Sequence, residues 1–178
     1  MPEHVLVVLD EAYREFVRDP DVPDGLELAA GRENVAVTRT LSKAYGLAGA
    51  RVGYAVATPL VTSAARKVGI PFAVSRVSQA AAVAALDSAD ELLARCAPVI
   101  AERTRVHAAL RGLGYEVPPS QANFVWLPLG DKAAAFNEHC LAEKIVVRAF
   151  VGEGVRVTVS GLPEENDAFL AAARSFTG

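Results

Sequence analysis

The chain has 178 residues, 18 Lys+Arg against 21 Asp+Glu for a net charge of −3, and 52% apolar with 22% charged positions. That is the balance of a globular protein with a packed core. A slightly acidic chain has no surplus of cations to neutralise a run of phosphates, which argues against nucleic acid and favours small organic substrates.

Apolar runs such as His4–Leu9 and Gln79–Leu86 fall far short of the roughly 20 residues of a membrane span, so no membrane partner is expected. Met1-Pro2-Glu3-His4 lacks the basic start and apolar stretch of a signal peptide, and a cytoplasmic location is expected.

His4–Leu9 is apolar and β-branched without polar alternation, the pattern of a strand buried on both faces in a parallel sheet, and Asp10 stands at its carboxyl end. A turn-rich stretch at 19–25 and a short helix lead to a second strand, Asn34–Arg39, followed by Thr40-Leu41-Ser42-Lys43. The turn Gly46-Leu47-Ala48-Gly49 feeds a third strand, Arg51–Ala57, and Pro59 opens a helix.

Ala-rich helices follow over Ser75–Leu86 and Ala89–Leu113, with Pro98 expected to bend the second or mark its true start. Beyond Gly112 and Gly114 the pattern predicts strands at Tyr115–Val117, Asn123–Leu127, Ile145–Arg148 and Val155–Val159. It also predicts helices at Asp131 to about Lys144 and Pro163–Phe176. Two regions result, residues 1–90 and 91–178.

Cys96 and Cys140 belong to no Cys-x-x-Cys pair, and His4, His107 and His139 are scattered; core thiols, surface imidazoles and no metal site are expected. Lysine occurs only at 43, 67, 132 and 144. Lys43 is the one set at a strand end among hydroxyl and small residues.

Open α/β sheets bind ligands at the carboxyl ends of their strands. Here those ends carry Asp10, then Thr40, Ser42 and Lys43, with Arg51 at the start of the next strand. A lysine at such a junction, its pKa lowered by burial and nearby positive charge, is a nucleophile for a carbonyl, which makes a Schiff base plausible. Hydroxyls and a guanidinium fork suit a phosphate. Together they suggest a phosphorylated aldehyde, and pyridoxal 5′-phosphate is one whose pyridine nitrogen needs a carboxylate such as Asp10. At an effective dielectric near 20, an ion pair at about 4 Å is worth on the order of 4 kcal/mol, enough to keep that nitrogen protonated.

Asp10-Glu11-Ala12-Tyr13, followed by Thr40-Leu41-Ser42-Lys43-Ala44-Tyr45-Gly46-Leu47-Ala48-Gly49-Ala50-Arg51-Val52-Gly53-Tyr54, resembles the cofactor signature of fold-type I, class II aminotransferases. The resemblance is to the histidinol-phosphate aminotransferase group, including its actinobacterial aromatic amino acid aminotransferase branch. Pro119–Val125, Val147-Arg148, Val155–Val159 and Pro163–Asp167 match the same group.

The resemblance implies an α/β fold: part of a large pyridoxal-phosphate-dependent transferase domain of the aspartate aminotransferase type, then a small C-terminal α/β domain. It implies that Lys43 binds the cofactor covalently and moves the substrate proton, Asp10 pairs with the pyridinium, and Tyr13 donates to the phenolic oxygen. Thr40, Ser42 and Arg51 would hold the phosphate, Arg156 the substrate carboxylate or phosphate with Arg148 assisting, and Asn123 the small-domain backbone. It also implies an amino-acid substrate, 2-oxoglutarate as amino acceptor, and a homodimer when complete.

Relatives carry further cofactor contacts ahead of the position of Asp10, so the chain reads as the C-terminal half of such an enzyme, active only as part of a longer one. The alternative is a non-catalytic remnant or assembly partner. A nucleotide-binding regulatory domain would want Gly-x-Gly-x-x-Gly after the first strand, where Asp-Glu-Ala-Tyr stands instead.

Overall fold

The computed structural model describes Pro2 and residues 4–177; Met1, Glu3 and Gly178, which include both outer ends of the two expected regions, lie outside the described residues. The chain divides between Ala94 and Arg95 into two compact units.

In the first unit, β1 (Val7–Asp10) runs parallel to β2 (Val35–Thr40), and β3 (Gly53–Val56) runs antiparallel to β2, which is central. Because β3 returns antiparallel, the start of β3 and the ends of β1 and β2 share one edge of the sheet. Val35, Ala36 and Val37 are buried, as a central strand requires. β1 departs from the reading of a strand buried on both faces. Val7 and Leu9 share a face with Leu28 of α1 (Gly25–Ala29), whereas Leu6 and Val8, 49% and 54% exposed, lie on a face that no element of this unit covers.

The first unit continues with α2 (Pro59–Val68), α3 (Arg76–Asp87) and α4 (Ala89–Ala94). Ser75 caps α3 by accepting the Ser78 N–H at 3.1 Å. The helix expected over Ala89–Leu113 breaks at Arg95, and α5 (Cys96–Gly112) begins there with Pro98 in its first turn, where a missing N–H costs no helical bond. No helix among the described residues is long and apolar enough to cross a membrane.

In the second unit, β4 (Phe124–Leu127), β6 (Gly154–Thr158) and β5 (Arg148–Phe150) form an antiparallel sheet in that order. Val125, Leu127, Val155 and Val157 alternate onto its buried face. They pack with Val106 and Leu110 of α5, Phe136 and Cys140 of α6 (Ala133–Ala142), and Phe169, Leu170 and Ala173 of α7 (Pro163–Ser175).

Two sequence expectations fail here for local reasons. Tyr115–Val117 is not a strand: it leads into Pro118-Pro119, which have no N–H to give a ladder. The strand expected at Ile145–Arg148 starts only at Arg148, because the Ile145 N–H closes the end of α6 on the Cys140 carbonyl at 2.8 Å, with Lys144 left-handed at φ 63°.

Cys96 and Cys140 are buried free thiols. His107 and His139 are half-buried rather than surface groups, each with Nε2 3.0 Å from a backbone carbonyl, of Val117 and Ala172 respectively.

Candidate active site

At the end of β1 the backbone turns immediately. Asp10 Oδ1 accepts the Ala12 N–H at 3.2 Å and the hydroxyl of its register partner Thr38 at 3.4 Å. These bonds orient the carboxylate while Oδ2 keeps an open lone-pair edge. Asp10 is therefore a turn former and an exposed acceptor at once.

The loop after β2 is built around Leu41, 1% exposed, which packs with Ala82 and Ala85 of α3 and with Tyr45, Leu47, Val52 and Leu92. Its N–H bonds the Val52 carbonyl at 3.1 Å and its carbonyl accepts the Leu47 N–H at 2.9 Å, closing residues 41–52 into one turn. With Leu41 anchored inward, Ser42 and Lys43 stand outward. The Lys43 Nζ lies 5.5 Å from the centroid of the Tyr13 ring, so lysine and tyrosine from separate strand ends meet. Lys43 is exposed, not buried as the sequence reading supposed, because Leu41 occupies the inward position of this turn.

The three residues assigned to a phosphate differ in readiness. Thr40 spends its hydroxyl inside the loop, accepting the Ser42 N–H at 3.1 Å and lying 3.5 Å from the Val52 carbonyl. The Ser42 hydroxyl makes no such bond among the described residues. Arg51 gives one N–H to the Ala48 carbonyl at 3.0 Å and has the rest of its fork directed outward. Arg51 sits in the left-handed region, φ 55° and ψ 45°, where a side chain is uncommon. Gly53, two residues on, faces Thr40 across the sheet; a Cβ there would lie 2.8 Å from the Arg39 carbonyl, so only glycine lets β3 approach this closely.

One group of residues at this end of the sheet was not singled out from sequence. Glu11 Oε2 accepts two N–H bonds from Arg39, at 2.7 and 2.9 Å, while Oε1 accepts the Gly25 N–H at 2.6 Å. Arg39 also reaches Asp24 at 2.8 Å, and Asp24 pairs with Arg14 at 3.2 Å and caps α1 through Leu26. Burial works against the Arg39 charge, but bonds to Glu11 and Tyr54 and the charges of Asp24 and Glu11 hold its pKa above the ordinary value. For Asp24, burial is outweighed by the Leu26 N–H and by Arg39, and its carboxyl is held low. This network clamps the turn after Asp10 onto the end of β2, and so sets Asp10 and Tyr13 against the lysine loop. Its only sequence signal was Glu11 inside Asp-Glu-Ala-Tyr.

In the second unit Arg148 and Arg156 are direct cross-strand partners on the face of the sheet away from the core. Neither has a carboxylate within ion-pair distance among the described residues. Each guanidinium instead lies 5.2 Å from an aromatic centroid, Arg148 from Phe150 and Arg156 from Phe124.

The segment after β6 is pinned by buried Asn166, whose Oδ1 accepts the Ser160 N–H at 3.1 Å and whose Nδ2 donates to Glu102 at 2.7 Å and to the Ser160 carbonyl at 2.9 Å. Buried Arg103 holds the segment before β4 through the Ala122 carbonyl at 2.8 Å. The Asn123 carbonyl extends the β4–β6 ladder by accepting the Val159 N–H at 2.8 Å.

The donor set of the first unit fits pyridoxal phosphate in kind: an amine for the aldehyde, an oriented carboxylate edge for the pyridine N–H, a phenol beside the amine, and a hydroxyl and guanidinium for the phosphate. Comparison with known proteins agrees. The family model described as aminotransferase class I and II matches residues 1–173. The chain is 58% identical over 174 residues to the aromatic amino acid aminotransferase of Mycolicibacterium smegmatis, and 57% identical over 176 residues to that of Thermobifida fusca. These alignments cover 98% and 99% of the chain but 48% and 49% of the relatives, so it spans about half their length.

Among solved structures, histidinol-phosphate aminotransferase from Sinorhizobium meliloti, in complex with pyridoxal-5′-phosphate, superposes with a TM-score of 0.83 at 33% identity. That match covers 98% of this chain and 49% of the other. The sheet-end constellation and these likenesses lead to one conclusion: the chain belongs to the class I and II aminotransferase family.

Proposed function

We propose that this chain supplies the lysine-bearing part of a pyridoxal-phosphate-dependent aminotransferase that moves the amino group of an aromatic amino acid to 2-oxoglutarate, yielding the aromatic 2-oxo acid and glutamate. The observation that carries this reading is the meeting of Lys43 with Tyr13 beside Asp10 at one end of one sheet. The relatives at 57–58% identity bear the aromatic amino acid aminotransferase name, which supports the substrate class.

When bound, the cofactor supplies an electron sink for the pair left at the substrate α-carbon. In this reading the Lys43 amine would hold the cofactor through its aldehyde carbon and, when free, would carry the proton to and from the substrate α-carbon. Asp10, oriented by its bonds to Ala12 and Thr38, would pair with the pyridine N–H and favour its protonated form. Tyr13 donates to the phenolic oxygen. Ser42 and Arg51 hold the phosphate, with Thr40 bracing their loop more than contacting the ligand. Arg156, with Arg148, holds the substrate carboxylate. The working enzyme in this proposal is a cytoplasmic homodimer of a longer chain.

Histidinol phosphate is the second reading, favoured by the two guanidiniums with no acid between them, which suit a phosphate. In the full-length enzyme carrying this segment, kcat/KM for phenylalanine and for histidinol phosphate, each with 2-oxoglutarate, separates the two. Borohydride reduction of the cofactor-loaded protein followed by peptide mapping tests the core of the proposal. Label is expected on Lys43, and label confined to Lys67, Lys132 or Lys144 would sink it.

A further inference from the structure

The outer face of the second sheet carries Trp126, Arg156 and Arg148 in one cross-strand row, flanked by Phe124 on β4 and Phe150 on β5. Two like charges directly opposite each other on a sheet repel, and no carboxylate among the described residues lies within ion-pair distance to relieve them. What holds them is aromatic. Phe150 carries Arg148 and Phe124 carries Arg156, each at 5.2 Å. The Phe150 ring is itself met edge-on by Trp126, with centroids 5.6 Å apart at 64°, although β6 lies between their strands.

Gly154 makes that reach possible. A Cβ at Gly154 would lie 2.6 Å from Trp126 Cζ2, so the indole occupies the space a side chain on β6 would take and crosses to β5. Trp126, Gly154 and Phe150 thus form a ledge across three strands that ends under the Arg148 guanidinium. A ledge so placed restricts the rotamers of Arg148 and keeps it beside Arg156 despite their repulsion.

We propose that Trp126 and Phe150, seated over Gly154, are positioning residues that pre-align Arg148 with Arg156 as one paired site for a doubly negative ligand such as a dicarboxylate. This rests on the reading of the two arginines as an anion site. Pre-alignment lowers the rotamer entropy lost on binding, so disturbing the ledge weakens the ligand without removing either charge.

Trp126 is the only tryptophan of the chain and so reports on its own surroundings. The full-length enzyme carrying this segment is titrated with 2-oxoglutarate, following the heat of binding in wild type and variants, with Trp126 emission as a second signal where Trp126 is retained. Wild type is expected to show a saturable change that Arg148→Gln/Arg156→Gln abolishes. Phe150→Leu is expected to weaken binding about fivefold to tenfold, and Phe150→Tyr to restore it. Trp126→Phe, too short to cross Gly154, is expected to match Phe150→Leu with an unchanged far-UV dichroism spectrum.

Wild-type affinity in both Phe150→Leu and Trp126→Phe, with the arginine double variant inactive in binding, overturns the ledge and leaves the anion site standing. Equal weakening by Phe150→Leu and Phe150→Tyr also overturns it. Undiminished binding by the double variant, or none by wild type, overturns both readings.

Discussion

Arg51 offers a direct test of whether its guanidinium is the reason for an uncommon backbone. It sits at φ 55° and ψ 45°, with one N–H on the Ala48 carbonyl at 3.0 Å. A left-handed residue with a Cβ costs roughly 1–2 kcal/mol, and glycine escapes that cost while giving back part of it as unfolded-state entropy. Arg51→Ala and Arg51→Gly both lose the Ala48 bond and the phosphate contact proposed for the guanidinium, so their difference isolates the backbone. Glycine should be the more stable by about 1 kcal/mol. Hydrogen exchange at the Leu41 amide, which closes this loop on Val52, reads that difference as about fivefold slower exchange in Arg51→Gly.

Ligand preference reads the other half. Borohydride trapping at Lys43 should favour pyridoxal phosphate over pyridoxal in wild type, and both variants should lose about tenfold of that preference, the low end for a charge-assisted bond at an exposed site. Equal exchange in the two variants would refute the strain argument. An intact phosphate preference would remove Arg51 from the cradle.

Leu41→Ala should cost about 2–3 kcal/mol, the low end for a buried leucine because the half-buried Tyr45, Leu47 and Val52 can close in. A lower thermal midpoint with borohydride label spread to other lysines would show that Leu41 aims Lys43, and an unchanged labelling pattern would deny it. Lys144→Gly, replacing a left-handed lysine at the end of α6, should stabilise the second unit by about 1 kcal/mol and raise the urea midpoint followed by Trp126 emission; a lower midpoint contradicts the cap.

Burial pushes the Cys140 thiol up to about 11, and burial chiefly raises the Tyr115 hydroxyl as well. The folded state therefore keeps protons that the unfolded state releases. Stability is full below about pH 9 and falls as pH rises towards about 11, by on the order of 2 kcal/mol for Cys140. Cys140→Ala should flatten that fall in a urea series across pH, whereas an identical slope would assign it elsewhere.

The residues proposed to face a ligand were legible because each carries its chemistry in a short local pattern: Asp10 at the end of one apolar run, and Thr-Leu-Ser-Lys at the end of the next. Strand ends bring such patterns together without any knowledge of packing, and the β1–β2 register does place Asp10 opposite Thr38, two residues short of Thr40. The residues that aim them were not legible. Glu11 and Arg39 lie 28 positions apart, and nothing in either neighbourhood shows that Glu11 turns away from the ligand side to take Arg39 and Gly25.

Leu41 was given no role in the sequence reading, yet its burial is what turns Lys43 outward. Gly154 fell just outside the strand expected at Val155–Val159, although it is a position in β6 left open for an indole from β4. In each case the missing information is a contact between elements distant in the sequence, and the two kinds of residue can be told apart by their partners. Glu11 and Arg39 satisfy each other within the fold, whereas Lys43, Arg51, Arg148 and Arg156 have no carboxylate within ion-pair distance among the described residues. A stable protein has no need to gather unsatisfied cations on ordered strand ends and neighbouring strands for its own folding. Their arrangement is therefore better explained by an anionic ligand than by stability, and the positions that aim them are where substitution should change binding while the charges remain.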